Sequence, residues 1–574
     1  MRRTYDLLAE TFIQEGTEVC FTLGGTANMC FAAKLHERGC RLVHLRHEHC
    51  AVAASMAYSR KTGKIGVSTT TCGPGFTQVM TALTTAAIAK FPLVVFAGES
   101  PLRKAWYNQE CNQAPYALAC GADYHSLHDP ARMAEQVRDA FIQARDEMRP
   151  VVIGVPSDLQ EDDCTGIPLP KPSWEITPAL DPLRPSAHDI DRAVELVARK
   201  KRITIVAGLG AAAAGAGPAC RALAERLDAT LGTTLPNRGM FWDDPANLGI
   251  VGGYSTPATV DWLRSADLVI AVGSSTKHHT IKGGKLFPEA ELLQIDNEPV
   301  GMRQGNITAR HHIRADARLG VEALTAAVPA RPVSVRTSFA RRPAEDLDLR
   351  GSPFLEPGLF DPRHAVAALQ AAIPRDWEMI NTSGHVSAFT AHMPGRPNAR
   401  FFTVREFGAI GNGSPYAIGV AAANPSTPVV LFDGDGSLMM NVQELETIGR
   451  HGLKVLVVAM NDGAYSSESH KLRARGLDAE TAVFGRPDFA AIGRSFGLAG
   501  HTVSDLSDLP DLAQEFARGA GGAVWDIPLS DRIVSDLMNT VNAETLQPPD
   551  RCLVSACGEV VPHDRRFVPA KEHR

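Results

Sequence analysis

Residues 428–465 constrain the fold of this chain more than any other segment. An apolar, β-branched run at 429–432 leads into a glycine turn, Asp-Gly-Asp-Gly at 433–436, and a second apolar run at 454–460 ends at Asn461. A stretch with helical spacing lies between the two runs and ends at a glycine. The pattern predicts a strand, a helix and a second, parallel strand, so that both strands end at one edge of a sheet.

A metal site is predicted at that edge. The Asp435 carboxylate, the Asn461 amide oxygen and the main-chain carbonyl of Gly463 would converge there. Mg²⁺ prefers such oxygen ligands and usually completes its octahedron with water and phosphate. A Gly-Asp-Gly turn alone is usually only a turn, so the interpretation depends on the spacing between that turn and Asn461.

Length and composition narrow the possible classes of protein. A chain of 574 residues is too long for one hydrophobic core. The net charge of −6 comes without a basic run, so we expect no nucleic-acid partner, and no apolar run approaches the roughly 18 residues of a membrane span. The amino terminus carries charges where a signal peptide needs an apolar centre, and the eleven cysteines include no CxxC pair. These features predict a cytoplasmic protein with free thiols.

Alternating helical and strand patterns predict an α/β fold with parallel sheets. Two proline-rich segments without periodicity, 161–187 and 330–362, are predicted linkers. They divide the chain into three domains, at 1–165, 188–329 and 360–545, followed by a tail at 546–574 that contains Cys552 and Cys557.

A second motif region lies near the amino terminus. The tripeptide Arg-His-Glu at 46–48 precedes an alanine-rich helix, a Thr-Gly-Lys turn, a strand and the Gly-Pro-Gly turn at 73–75. This order resembles the pyrimidine-binding domain of thiamine diphosphate enzymes, and the segment from 434 to 463 resembles their diphosphate-anchoring motif. The resemblance extends over all three domains, and it is to the acetolactate synthase and 2-oxo acid decarboxylase group.

The resemblance implies a specific architecture and specific cofactors. We expect three doubly wound parallel-sheet domains, which are pyrimidine-binding, central and diphosphate-binding in chain order. Thiamine diphosphate and Mg²⁺ are the implied cofactors, with Asp435, Asn461 and Gly463 as metal ligands. The family often has a second Asn where this chain has Asp462, so the local role of Asp462 stays open.

Glu48 is the implied catalytic residue. In the family the equivalent glutamate binds N1′ of the aminopyrimidine and promotes loss of the cofactor's C2 proton. A lone glutamate at a helix start is otherwise explained by the helix dipole, so the flanking motif decides the interpretation. The resemblance also places His47 near the reacting centre, and Gln109, or its rival Gln113, on the substrate side. The histidines around Glu48 alternate along a short segment, so no metal site is expected among them.

The remaining cofactor contacts are implied in the same way. Ile410 corresponds to a large aliphatic residue wedged between the two cofactor rings, although a glycine-flanked Ile is otherwise ordinary core. The implied cofactor-binding positions are Gly24, Gly25, Glu48, Gly73, Pro74, His385, Gly408, Ile410, Gly434, Asp435, Gly436, Ser437, Asn461 and Gly463.

The predicted central domain carries a formal dinucleotide fingerprint at 208–215. That fingerprint also needs an acid at the end of the next strand, and Glu225 and Asp228 fall before that strand. Asp296 ends a later strand either as a structural residue or as a nucleotide contact. A Gly-Ala turn of this kind also resembles the one that opens the central domain of the thiamine family, which binds FAD in some members, so FAD is possible but not indicated.

The resemblance implies an enzyme that makes or breaks a C–C bond next to a carbonyl, by 2-oxo acid decarboxylation, acyloin-type carboligation or both. The substrate would be a 2-oxo acid or a hydroxy ketone, and the assembly a homodimer at minimum, with a homotetramer expected. One alternative is a lyase or hydrolase acting on a 2-hydroxy ketone, a diketone or a 2-hydroxyacyl-CoA. A flavin or nicotinamide oxidoreductase and a catalytically silent cofactor-binding subunit are further alternatives.

Overall fold

The computed structural model describes residues 1–177, 180–298, 309–338, 353 and 356–546. The predicted tail, with Cys552 and Cys557, lies outside this range from residue 547 onward, as does much of the second predicted linker. Within the described ranges, no helix is both long and apolar enough to cross a lipid bilayer. The nine cysteines described there are all free thiols.

Three six-stranded, entirely parallel sheets follow one another along the chain. Helices connect most successive strands of the described residues, because parallel neighbours need a crossover. This arrangement confirms the prediction of an α/β protein with three doubly wound parallel sheets. We call each sheet with its helices the first, second and third unit.

The first unit contains β1 (Val19–Thr22), β2 (Arg41–His44), β3 (Gly66–Thr70), β4 (Leu93–Glu99), β5 (Asp123–Ser126) and β6 (Pro150–Pro156). Its helices are α1 (Thr4–Gln14), α2 (Met29–Glu37), α3 (Glu48–Thr62), α4 (Pro74–Thr77), α5 (Met80–Ile88), α6 (Ala114–Ala119), α7 (Met133–Glu147) and α8 (Ser173–Ile176).

The second unit contains β7 (Ile203–Ala207), β8 (Thr230–Thr233), β9 (Asn247–Ile250), β10 (Leu268–Val272), β11 (Glu291–Asp296) and β12 (His311–Arg314). Its helices are α9 (Ala187–Ala198), α10 (Leu209–Ala213), α11 (Gly217–Leu227), α12 (Pro257–Arg264), α13 (His278–Ile281), α14 (Ala317–Ala327) and α15 (Val335–Ser338).

The third unit contains β13 (Glu378–Asn381), β14 (Phe401–Phe402), β15 (Val429–Gly434), β16 (Val455–Asn461), β17 (Ala499–Thr502) and β18 (Ala523–Pro528). Its helices are α16 (Pro362–Ala372), α17 (Val386–Thr390), α18 (Gly413–Ala423), α19 (Asp435–Met440), α20 (Glu444–Arg450), α21 (Ser466–Ala474), α22 (Phe489–Ser495), α23 (Leu509–Arg518) and α24 (Asp536–Leu546).

One local prediction was wrong. Residues 433–436 do not form a tight glycine turn, because β15 continues to Gly434 and Asp435 is the first residue of the short helix α19. An acid in the first turn of a helix is stabilised by the exposed amide dipoles there, which favours this helical start. Asp435 therefore stands at a strand-to-helix junction.

The first and third units have the same topology. Their strand orders are β2-β1-β3-β4-β6-β5 and β14-β13-β15-β16-β18-β17, which correspond position by position. In both units one helix connects the second strand to the third: α3 in the first unit and α18 in the third. These two equivalent helices pack against each other.

This helix pair forms the centre of the molecule. Every residue of α3 from His49 to Ser59 is buried, as is every residue of α18 from Gly413 to Ala422. A helix buried on all sides lies within a core, and residues of both units form one continuous hydrophobic cluster around the pair.

A buried ionic cluster crosses the same contact. Lys61 donates to Glu378 Oε2 at 2.6 Å, and Arg400 donates to Glu378 Oε1 at 2.9 Å. The Lys61 and Glu378 side chains are 12% and 4% exposed, so solvent screens the pair weakly. Both groups are charged and hydrogen-bonded, which is the condition under which burial of ions is tolerated.

We expect Lys61→Met to destabilise the protein by about 1.5–3 kcal/mol, the range for a hydrogen bond to a charged group. Urea unfolding measures this change. Lys34→Met is the matched control, since Lys34 pairs with the more exposed Glu37, and it should change stability by less than about 0.5 kcal/mol. Equal effects of the two substitutions would contradict a special role for the buried pair.

Candidate active site

Two of the predicted metal ligands, Asp435 and Asn461, lie at the carboxyl edge of the third sheet. In the parallel pair β15 and β16, Gly434 lies opposite Met460, so Asp435 and Asn461 follow matched positions. The Gly463 amide donates to Asp435 Oδ2 at 2.5 Å, and the Gly436 amide donates to Oδ1 at 2.8 Å. Asp435 and Asn461 are both buried.

The Asn461 side chain is held with its oxygen free. Its Nδ2 donates to Asp526 Oδ1 at 2.9 Å and to the Pro487 carbonyl at 2.8 Å. Its Oδ1 is buried and has no hydrogen-bond partner. Leaving a buried acceptor unpaired costs about 1–3 kcal/mol, so an oriented and unsatisfied oxygen fits a cation ligand.

The two carboxyl groups near the Asn461 oxygen, those of Asp435 and Asp462, also favour a bound cation. Burial raises the pKa of Asp435, and the nearby Asp462 carboxylate raises it further. Burial raises the pKa of Asp462 as well. Asp462 accepts from the Ser466 hydroxyl at 2.5 Å and from the Ala464 amide at 3.3 Å, so it anchors the start of α21. A divalent ion would stabilise both carboxylates, and Asp435 and Asn461 could hold Mg²⁺. The Gly463 carbonyl, predicted as the third ligand, instead accepts from the Phe484 and Gly485 amides at 3.0 and 3.1 Å.

The glycine run before α18 is hydrogen-bonded to α19, the helix that begins at Asp435. The Gly411 amide donates to Ser437 Oγ at 2.9 Å, and Asn441 Nδ2 donates to the Gly411 carbonyl at 2.7 Å. Ile410 and Gly408 lie in the same run, and Ile410 is half-buried. The aliphatic side chain predicted as a wedge is therefore held next to the start of α19.

In the first unit, Glu48 lies against the Gly-Pro-Gly turn. Glu48 opens α3, and a Cβ built on Gly75 would lie 3.1 Å from Glu48 Oε1. Gly73 has a φ of +57°, and a Cβ there would lie 2.2 Å from the Gln109 carbonyl, so only glycine fits. Pro74 is the first residue of α4. The two amino-terminal motifs thus meet in one place.

The predicted glycines after β1 have different environments. The Gly25 amide donates to Asn28 Oδ1 at 2.7 Å, which fixes the loop that follows β1. Gly24 lines a crevice of about 480 Å³ together with His44, Arg46 and Arg450. Gly24 therefore faces open space at the carboxyl edge of the first sheet.

Burial separates the two candidate glutamines. Gln113 is buried, accepts from the Gly73 amide at 2.9 Å and donates to the Gly98 carbonyl and to Tyr124 Oη. Gln109 is partly exposed and accepts from the Cys72 thiol at 3.6 Å. Gln113 therefore stabilises the Gly-Pro-Gly turn from its buried side, whereas Gln109 is partly open to solvent.

The three histidines around Glu48 have three different partners. His44 stacks on His451, and the imidazole Nδ1 of His47 accepts from the His49 amide at 3.1 Å, which caps α3. His49 Nε2 lies 2.6 Å from Asn412 Oδ1. The rings of His47 and His49 lie edge to face with their centroids 6.2 Å apart, whereas the ring of His44 packs on that of His451.

His385 is held at the base of α17. Its Nε2 accepts from the Ser535 amide at 3.0 Å, and its ring centroid lies 4.6 Å from that of His470. Burial lowers the pKa of His385 to about 3, so its ring is neutral at physiological pH. His385 thus joins the edge of the third sheet to the segment that leads into α24.

Two buried acids near Asp435 and Asn461 were not predicted from the sequence. Asp526 orients the Asn461 amide, and Asp433 is fully buried and accepts from Thr382 Oγ1 at 2.8 Å. Burial raises the pKa of Asp433 to about 7. The available signal was an aspartate within an apolar strand, since such an acid needs a partner when it is buried.

The backbone amides of the dinucleotide fingerprint in the second unit donate hydrogen bonds to other main-chain groups. The Gly208 amide donates to the Val272 carbonyl and the Gly210 amide to the Gly273 carbonyl, both at 2.9 Å. The next strand, β8, ends at Thr233 and not at an acid. Burial raises the pKa of Asp296 at the end of β11. The amides of the first two fingerprint glycines, Gly208 and Gly210, are therefore already hydrogen-bonded to the end of β10 and the residue after it.

The chain also matches known protein families. The chain matches three domain models described as thiamine pyrophosphate enzyme, namely the N-terminal TPP binding domain at 2–116, the central domain at 190–324 and the C-terminal TPP binding domain at 382–527. The chain belongs to the thiamine pyrophosphate enzymes, thiamine pyrophosphate being another name for thiamine diphosphate.

Within that class the chain is similar to acetolactate synthases. It is 26% identical over 596 residues to the acetolactate synthase large subunit of Parasynechococcus marenigrum, which covers 98% of this chain and 95% of that protein. It is 28% identical over 506 residues to the acetolactate synthase isozyme 2 large subunit of Escherichia coli, covering 85% and 89%.

We expect Asp435→Asn to abolish the rise in Tm that Mg²⁺ and thiamine diphosphate together give the wild type, because a charged oxygen ligand is lost. The pKa of Asp435 is raised in the folded protein, so this carboxyl group contributes stability at low pH that is lost as the pH increases. The ligand-free variant should therefore match or exceed the stability of the ligand-free wild type at pH 8. Differential scanning calorimetry measures both effects.

Asp139→Asn, on an exposed part of α7, serves as the control and should keep the full ligand-induced rise in Tm. The same rise in Asp435→Asn as in the wild type would remove Asp435 from the metal site.

Proposed function

We propose that this protein uses thiamine diphosphate and Mg²⁺ to join two carbonyl compounds, with a 2-oxo acid as donor and acyloin-type carboligation as the reaction. The buried Asp435 carboxylate and the unpartnered Asn461 oxygen, at one sheet edge next to the glycine run, carry the proposal. The similarity to acetolactate synthases supports the type of reaction. The family matches fall within the proposed domains at 1–165, 188–329 and 360–545.

The third unit would hold the diphosphate end of the cofactor. The start of α19 supplies backbone amides and the Ser437 hydroxyl, and Asp435 and Asn461 would hold Mg²⁺ against the diphosphate. Ile410 would pack between the rings and fix their relative orientation. When bound, thiamine diphosphate supplies a carbon nucleophile for the substrate carbonyl.

The first unit would hold the pyrimidine end. Glu48 lies against the Gly-Pro-Gly turn, where its carboxyl group would hold a proton at N1′ of the aminopyrimidine. Gln109 borders the same turn and His47 directly precedes Glu48, and both would face the substrate. Closing such a site against water strengthens the electrostatic contacts inside it.

Glu48→Gln is expected to lower turnover of pyruvate by about 100-fold or more, the range for loss of an acid–base group. Cofactor affinity should change by less than about tenfold, because Glu48 is one contact among many. Steady-state kinetics with identification of the product, and a fluorescence titration of the cofactor, measure the two effects. Acetolactate as the wild-type product would support carboligation, whereas acetaldehyde would indicate simple decarboxylation.

Glu37→Gln, on the exposed face of α2, provides a charge-matched control with unchanged turnover. Wild-type rates in Glu48→Gln would overturn the role given to Glu48. A wild-type protein that fails to bind thiamine diphosphate would overturn the proposed function as a whole.

A second copy of the chain would complete the site. Large apolar side chains flank the site residues yet are exposed in the single chain, namely Leu102, Trp106, Phe407, Met440, Tyr465 and Phe484. Exposed apolar clusters of this kind mark protein interfaces. We propose a homodimer at minimum, with the tetramer expected from the resemblance as a further assembly of dimers.

The double substitution Trp106→Glu and Phe407→Glu should shift the protein toward the 61.6 kDa monomer, because each new charge would be buried in the interface. Multi-angle light scattering gives the mass directly. Leu180→Glu, at a site that is 89% exposed, should leave the assembly unchanged. A wild-type monomer that retains full turnover would contradict a site shared between copies.

A further inference from the structure

A buried hydrogen bond joins the first and third units next to the proposed catalytic residue. His49 is the second residue of α3, and its Nε2 lies 2.6 Å from Oδ1 of Asn412, which immediately precedes α18. Both side chains are buried, and 363 positions separate them in sequence. No other side chain of the described residues is hydrogen-bonded to His49 Nε2.

The chemistry of the pair defines where the proton lies. An amide oxygen only accepts hydrogen bonds, so His49 Nε2 carries the proton. Burial lowers the pKa of His49, which keeps the ring neutral at pH 7. The contact is therefore a neutral, directional hydrogen bond, and its removal would leave a buried donor or acceptor without a partner.

The bond lies at the amino ends of two helices whose middles are in backbone contact. A Cβ built on Gly419 would lie 2.1 Å from the Ala54 carbonyl, so α18 and α3 touch there without side chains between them. Such a contact fixes the distance between the helices at their middles. At the amino end of α3, Arg46 is bonded to Glu444 and Glu446 on α20. The buried His49–Asn412 bond is the contact that ties α3 to the start of α18.

The residues on either side of the bond are the ones proposed to touch the cofactor. Glu48 directly precedes His49, and Ile410 lies two residues before Asn412. Gly411, between Ile410 and Asn412, donates its amide to Ser437 at the start of α19. A rotation at the amino end of α3 would displace Glu48 relative to its own Gly-Pro-Gly turn and to the third unit.

We propose that His49 is a positioning residue, whose hydrogen bond to Asn412 fixes the amino end of α3 and thereby the orientation of Glu48. This inference rests on the proposed function, because Glu48 must act on the pyrimidine end of the cofactor for its orientation to matter. A displacement of about 1 Å at a reacting group can lower a rate by about 100-fold.

The experiment uses His49→Leu and Asn412→Leu, each of which removes the bond while keeping an apolar filling of similar size. His49→Gln is the conservative variant, since its side-chain amide can still donate to Asn412. Three quantities are measured on the full-length protein: the exchange rate of the cofactor's C2 proton, the dissociation constant of thiamine diphosphate with Mg²⁺, and backbone hydrogen–deuterium exchange at the start of α3 without cofactor.

In His49→Leu and Asn412→Leu, we expect C2 proton exchange to fall by about 10- to 100-fold while cofactor affinity changes by less than about threefold. The double variant should be no slower than the slower single variant, because both substitutions remove the same bond. Amides at the start of α3 should exchange faster in the cofactor-free protein, and His49→Gln should recover most of the C2 exchange.

Lys61→Met provides the matched control, since it disrupts another buried polar contact between the same two units at the far end of α3. It should lower Tm without changing C2 exchange by more than about twofold. A comparable loss of C2 exchange in Lys61→Met, or wild-type exchange in His49→Leu, would overturn the positioning role. Loss of C2 exchange in Glu48→Gln with wild-type exchange in His49→Leu would leave the proposed function standing and reject only this inference.

Discussion

The packing of α3 against α18 is the contact on which the rest of the structure depends. The two helices occupy equivalent positions in sheets of identical strand order, so the first and third units meet through corresponding elements. Small residues along α3 and Gly419 on α18 allow the backbones to approach closely. Each helix begins at a candidate cofactor site, so the same contact that forms the core also sets the relation between the two sites.

Hydrogen bonds, rather than ion pairs, give the third unit its site geometry. Ser437 and Asn441 hold the Gly411 peptide, and Asp526 orients Asn461 from outside the metal position. The side chains are thus oriented before any ligand arrives, which lowers the entropy lost on binding. The carboxylates of Asp435 and Asp462 remain the groups whose energy depends on a bound cation.

Much of this arrangement could be predicted from short segments of sequence, because parallel strands end at a common edge and thus bring Asp435 and Asn461 together. Contacts between distant segments could not be predicted in this way. The pairing of His49 with Asn412 and of Asp526 with Asn461 depends on three-dimensional packing, and the choice between Gln109 and Gln113 depends on burial. The Asp-Gly-Asp-Gly segment was misread as a turn because glycine is permissive enough to suit either a turn or a strand-to-helix junction.

The burial of α3 on all sides also bears on how the chain is made. Its partner α18 lies more than three hundred residues downstream, as the separation of 363 between His49 and Asn412 shows. At about 5–20 residues per second, a ribosome needs roughly 20–70 s to synthesise that interval. During this time the alanine-rich surface of α3 meets water or a chaperone, so the folding of the first half of the protein is completed only after the second half has emerged.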